Sequence, residues 1–280
     1  MIDSFLYYNE TDVFFLRLDY LDAYVDKFVI VETDTTFSLT PHAAQFDQVY
    51  KQLPDSIKNK IVYQYLEIDK SQISDTDPAA FKDQSRYVER MMRLTLSNLI
   101  HTISTTDYVM ISDLDEFWDP RYLDQCKQLV DKHGSMFWAQ SIRSAYIDWQ
   151  MGYGQGLWPG TKSTRLDILP EPINEMYCSK NKTWGKFGDS KLEAGYHFTM
   201  MGNINTKKEH IESLREGPGW QHKLNKTSAE IAHGMTSGSY NSVVKKGKMK
   251  ATKVGVDAID PELVKLAKQY PDLWSGKIEP

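Results

Sequence analysis

With 280 residues, 41% hydrophobic and 25% charged, the chain has the balance of a folded globular protein with a sizeable core, not of a disordered segment. A formal net charge of −5 gives no bulk attraction to nucleic acid, whose binders carry a basic face; the one basic run, Lys245 to Lys253, reads as a solvated loop. Two cysteines, Cys126 and Cys178, make neither a disulfide framework nor an unaided zinc site.

No apolar run approaches the roughly eighteen residues of a membrane-spanning helix. The first residues lack the basic and apolar stretches of a leader. A cytoplasmic chain without a membrane span is the expectation.

Residues 2–8 are apolar and aromatic and predict a first strand. Thr11 is placed to cap a helix in which Val13, Phe14, Leu18, Leu21 and Val25 recur near helical spacing. The run 27–32, Lys-Phe-Val-Ile-Val-Glu, is β-branched and predicts a strand buried on both faces. Strand, helix and strand in this order make a βαβ unit. Residues 33–60 read as loop with a short helix, 61–66 as a third strand, and 69–83 as a polar loop.

A long helix follows over 84–103, with Val88, Met91, Met92, Leu96, Leu99, Ile100 and Ile103 on one face. Arg86, Arg90 and Arg93 are assigned to its other faces. Residues 107–112 form another apolar strand that delivers the chain into Asp113-Leu-Asp-Glu-Phe-Trp-Asp-Pro120. A helix over 120–132 comes next. Beyond Gly134 the alternation loosens: one or two strands over 136–147, a glycine-rich loop over 152–160, and a strand over 192–201 that carries His197. Near the end Asp260 is an N-cap, Pro261 occupies the first helical position, and Leu263, Leu266 and Tyr270 make a stripe.

Strands alternating with helices predict an α/β fold with a mostly parallel sheet covered on both faces. No repeat or Pro/Ser-rich linker divides the chain. One domain over 1–280 is expected, with a ligand-binding half at 1–133 and an irregular half at 134–280.

Ligands of open α/β sheets bind outside the carboxyl ends of the parallel strands, where Asp113 and Asp115 fall. On an extended backbone, residues i and i+2 share a side. Two adjacent carboxylates repel unless a cation or shared proton compensates. A hard divalent ion such as Mg²⁺ or Mn²⁺ suits oxygen ligands. A calcium EF-hand loop fails, because Phe117 and Trp118 stand where an oxygen ligand and Gly are needed. A phosphohydrolase with Asp113 as nucleophile stays open at this point, as do a helix-capping acidic turn and a carbohydrate-binding protein without catalysis.

Three separated segments read together resemble glycosyltransferase family 17, which includes the β-1,4-mannosyl-glycoprotein β-1,4-N-acetylglucosaminyltransferases. They are Phe5 to Leu21 with Val25 to Phe37, then Asp107 to Glu116, and then Ala194-Gly-Tyr-His-Phe-Thr-Met-Met-Gly202. Tyr196 stands where that family usually has Trp, and Phe117-Trp118 where it has Ile-Pro.

The resemblance implies a GT-A fold, a UDP-sugar donor, a glycan acceptor and inverting transfer of a sugar such as N-acetylglucosamine. Asp115 is then the first choice for a Mn²⁺ or Mg²⁺ ligand, with Asp113 reaching the metal or ribose and His197 as a third ligand. Asn9, Glu10 and Glu32 are nucleotide-side candidates; Glu32 serves equally as a loop-capping carboxylate. Arg86 and Arg90, one turn apart, are candidates to clamp phosphate. Inversion needs a general base, for which Asp148 and Glu193 are candidates, with Asp189 behind them.

Overall fold

The computed structural model describes residues 1–73, 81–103, 108–133, 137–147, 149–152, 158–168, 193–198, 201, 250–253 and 259–274. The N-terminal half runs β1 (Ile2–Leu6), α1 (Thr11–Leu21), β2 (Lys27–Thr33), α2 (Phe46–Tyr50), α3 (Asp55–Lys58), β3 (Ile61–Leu66), α4 (Phe81–His101), β4 (Tyr108–Asp113), β5 (Glu116–Trp118) and α5 (Leu123–His133). The second half adds β6 (Phe137–Tyr146), β7 (Trp149–Gly152), β8 (Trp158–Arg165), β9 (Glu193–Phe198), β10 (Lys250–Lys253) and α6 (Pro261–Ala267).

The sheet has the order β10-β7-β6-β8-β4-β1-β2-β3, with β9 alongside β6 and β5 paired to β9. Its β3-β2-β1-β4 part is wholly parallel. Beyond β4 the strands β8, β6, β7 and β10 add antiparallel, while β9 runs parallel to β6.

Strand parity sorts the side chains of the parallel part. Phe5, Phe28, Ile30 and Met110 face a core shared with Val13, Phe14 and Leu18 of α1 and with Leu263 and Ala267 of α6. Ile2, Leu6, Val29, Val31, Val109 and Ile111 face Val88, Met92, Leu96 and Ile100 of α4. Each such side chain, fully buried, contributes about 1.5–3 kcal/mol, and the helices lie on opposite faces because the strand residues alternate. The buried residues of the second core all come from the first half of the chain, whereas the first core draws on both halves.

Several expectations shift. Thr11 is the first helical residue, not the cap: Glu10 holds that place without a side-chain cap bond, and the Thr11 hydroxyl donates to the Asn9 carbonyl at 3.4 Å. The helix expected at Pro120 begins as a 3₁₀ turn, Pro120–Tyr122, whose Asp119 cap accepts from the Arg121 amide at 3.0 Å. Residues 158–160 are the start of β8, not loop, and 250–253 pair with β7 as β10. Asp260 does cap α6, accepting from the Glu262 amide at 3.0 Å. The run 74–80 of the polar loop lies outside the described residues.

Candidate active site at the acidic turn

β1 has neighbours on both sides, β2 and β4, so the carboxyl ends of β1 and β4 form the crevice where strand order reverses. Leu6 at the end of β1 pairs with Asp113 at the end of β4. The chain then turns at Leu114 and Asp115 and re-enters the sheet as β5, which the sequence reading missed. β5 binds β9 antiparallel, with Glu116 opposite His197 and Phe117 opposite Tyr196. The Phe198 amide donates to the Asp115 carbonyl at 2.7 Å, which locks β9 against the turn.

Parity at the end of β4 decides what each side chain meets. Ser112 has the parity of Met110 and faces α1, where its hydroxyl accepts from Arg17 Nη2 at 2.6 Å. Asp113 has the parity of Val109 and Ile111 and faces α4, where Arg93 donates to its Oδ1. Arg93 also donates to the Ser112 carbonyl at 3.2 Å. Arg93 is buried, so its assignment to an outer face of the helix is corrected. It lies three residues before Leu96 and seven before Ile100, within the apolar stripe. A charged residue at a core position was the signal available in the sequence.

The two aspartates do not face one another as an uninterrupted strand would place them. The turn at Leu114 and Asp115 breaks the i, i+2 alternation, and Asp115 Oδ2 lies 3.3 Å from His197 Nε2. Asp113 thus meets Arg93 and Asp115 meets His197. The two carboxylates have separate neighbours, a guanidinium for Asp113 and an imidazole for Asp115. Among the described residues no three His, Cys, Asp or Glu side chains group closely enough to hold an ion.

Glu116, buried behind the turn, accepts from the Asp113 amide through Oε2 at 3.1 Å. Burial pushes its carboxyl above the usual range, and the charges of Asp113 and then Asp115 add to this; His197 and Lys162 oppose it. The charges of both aspartates, the histidine and the buried Lys162 of β8 are thus all near enough to act on this carboxylate. Perturbed groups of this kind concentrate at functional sites.

Asp115 and His197 fit a divalent cation as a pair. Two donors, each about 2.1 Å from an ion and near right angles, lie about 3 Å apart, close to the separation found. Mg²⁺-type ions are often held by one or two protein carboxylates, with substrate phosphates and water completing the shell, so a three-residue cage is not required.

The other nominated residues are distributed as follows. Asn9 and Glu10 follow β1 at the same sheet edge, and the Asn9 amide donates to the Glu10 carboxylate at 3.1 Å. Glu32 is buried with both oxygens engaged: Oε1 by His42 Nε2 at 3.0 Å and the Gln45 amide at 2.8 Å, Oε2 by the Phe46 amide at 3.2 Å and the Tyr63 hydroxyl at 2.6 Å. This is the loop-capping role. Arg86 is exposed and 3.6 Å from Asp83; Arg90 is also exposed. Asp148 and Asp189 lie outside the described residues, and only the backbone of Glu193 is described, at the start of β9.

The mostly parallel sheet covered by helices on both faces, with an acidic turn at its switch point, is of the GT-A type. Residues 1–139 match the model of Glycosyltransferase family 17. Residues 1–139, just under half of the chain, are thus a glycosyltransferase family 17 sequence.

No curated protein matches the chain. Among solved structures it is similar to the galactosyltransferase LgtC in complex with donor and acceptor sugar analogs, at 10% identity and a TM-score of 0.31, over 60% of this chain and 59% of that one. An active-site mutant of LgtC is similar at 11% identity and a TM-score of 0.32, over 99% and 100% of the two chains. Likenesses this slight decide nothing about substrate.

Proposed function

We propose that the protein is an inverting, divalent-metal-dependent glycosyltransferase that moves a sugar, N-acetylglucosamine, from a UDP donor to a glycan hydroxyl. The observation that supports this reading is the Asp115–His197 pair, 3.3 Å apart, on an acidic turn at the carboxyl edge of the parallel strands. Asp115 and His197 would hold the cation, and a bound Mn²⁺ or Mg²⁺ would supply Lewis-acid neutralisation of the diphosphate as it leaves.

The chain's own residues then have separate tasks. Arg93 keeps Asp113 at the mouth of the crevice, where its half-exposed carboxylate can meet the ribose or the ion's water shell. Asn9 and Glu10 border the donor from the end of β1. An acceptor oxygen attacks the anomeric carbon from the face opposite the diphosphate. As that bond forms, the carbon–oxygen bond to the diphosphate breaks with its electron pair leaving on UDP. The acceptor's proton passes to a carboxylate base in the second half of the chain, with Asp148 and Glu193 as the nominees.

The test is a panel of nucleotide sugars with Mn²⁺ present, scored by UDP release in the presence of mannose-bearing glycans. The proposal expects turnover with UDP-N-acetylglucosamine and its loss on chelation. Undiminished turnover in chelator would remove the metal, and turnover with another donor alone would replace the sugar.

A further inference from the structure

The side chain most completely engaged at the site is one that touches no substrate position: Arg17, on α1, fully buried. Its Nε donates to Asp3 Oδ2 at 2.8 Å and its Nη2 to Asp3 Oδ1 at 2.7 Å and to the Ser112 hydroxyl. Its Nη1 reaches three backbone carbonyls of the acidic segment, those of Asp113 and Leu114 at 2.9 Å and of Glu116 at 3.0 Å. The rings of Phe5 and Phe117 flank the guanidinium, 4.4 and 5.6 Å from its carbon.

A buried ion pair is a weak device for stability, because desolvation offsets the attraction and an apolar residue of similar size often does as well. Position 17 lies four residues after Val13 and four before Leu21, inside the apolar stripe of α1, where such a residue would fit. What an apolar residue could not do is satisfy three carbonyls that converge on one nitrogen. Peptide planes whose oxygens point inward at Arg17 are fixed in orientation, and this sets the directions in which Asp113 and Asp115 leave the backbone.

We infer that Arg17 is a positioning residue for the metal site: by holding the carbonyls of Asp113, Leu114 and Glu116 it sets the placement of Asp115 against His197. This inference rests on the metal-dependent reading above. A ligand pair held in place before the ion arrives binds it more tightly than one that must be ordered on binding. Lysine keeps the charge but offers three donors at a point, so it cannot span Asp3, Ser112 and the turn together.

The experiment titrates Mn²⁺ into the full chain with UDP present, following loss of the free-ion signal by electron paramagnetic resonance. Circular dichroism reports the fold in parallel. Arg17→Lys is expected to weaken Mn²⁺ binding at least tenfold while the protein remains folded. Ser112→Ala, which removes one acceptor, is expected to weaken it two- to threefold, and it carries the test if Arg17→Lys does not fold. Val13→Ala, a cavity on the same helix away from the turn, should lower the melting temperature with Mn²⁺ affinity unchanged. Wild-type Mn²⁺ affinity in Arg17→Lys or Ser112→Ala would overturn the inference, as would an equal weakening in Val13→Ala. A wild-type chain that binds no Mn²⁺ with UDP would instead overturn the metal-dependent reading itself, and this inference with it.

Discussion

Asp115 and Arg93 reach the crevice through different features of the backbone. Asp115 comes from the turn and meets His197, so its removal takes one of the two donors that fit a cation. Asp115→Asn should abolish the rise in melting temperature produced by Mn²⁺ with UDP. It should also lower transfer by about 100-fold or more, given that losing supporting partners alone weakens metal sites by about 10–100-fold. Calorimetry and a UDP-release assay measure the two effects.

Arg93 arrives through the apolar face of α4 and pairs with Asp113. Arg93→Ala should reduce kcat/KM by about tenfold or more, equivalent to about 1.4 kcal/mol. Arg86→Ala and Arg90→Ala, on exposed positions of the same helix, should stay within about twofold, as surface substitutions usually do. A larger loss at Arg86 or Arg90 than at Arg93 would support a phosphate clamp at that pair.

Two elements owe their place to single buried polar groups. The loop between β2 and α2 folds back onto Glu32, whose two oxygens take four donors. Glu32→Gln puts an amide donor where only acceptors are wanted and should cost about 1–3 kcal/mol. Hydrogen exchange at the Gln45 and Phe46 amides should quicken well beyond that in the rest of α2. Unchanged protection there would mean that the loop is held by packing alone.

On the other side, Tyr196 joins β9 to α6. Its hydroxyl donates to Asp119 Oδ2 at 2.8 Å and accepts from Arg121 and from the Asp260 amide, each at 3.0 Å. An indole at this position has no oxygen to accept either bond. The tyrosine is therefore matched to the acidic cap of this chain's last described helix. Tyr196→Phe should lower stability by about 1–3 kcal/mol, read as several degrees of melting temperature.

At the scale of the whole molecule, the α1 face of the sheet buries Cys126 within the core shared by both halves. Burial, with the charge of Asp119 in second place, pushes its thiol up from 9.0 to about 12. A group whose folded pKa is raised contributes stability that is complete below its unfolded value and is lost as pH rises through the folded one. Stability should therefore fall between about pH 9 and 12, with this thiol contributing at most about 1.4 kcal/mol per pH unit. Denaturant midpoints across that range should decline less steeply in Cys126→Ala than in the parent chain. No helix among the described residues is long and apolar enough to cross a membrane.

Local pattern was enough for much of this protein. The runs at β1, β2, β3 and β4 and the stripes of α1 and α4 are statements about which side chains avoid water, and these hold whatever the rest of the chain does. They place Asp113 and Asp115 at the carboxyl edge of the sheet, and the pairing of Leu6 with Asp113 puts them at its switch point. Asp260 and Pro261 marked α6 for the same reason: a cap is chemistry within a few residues.

Partnership is another matter, since it depends on which face a residue joins and what comes to meet it from far along the chain. What Arg17 and Arg93 bond to is decided only when α1 and α4 are laid on opposite faces of the sheet. β5 is too short to announce itself and exists because β9, some eighty residues on, supplies the opposing edge. The separation of the two aspartates, one to an arginine and one to a histidine, follows from a two-residue turn that breaks strand parity. Only the assembled tertiary structure could decide it, because the groups bonded to that turn, the Arg17 guanidinium and the Phe198 amide, belong to other elements.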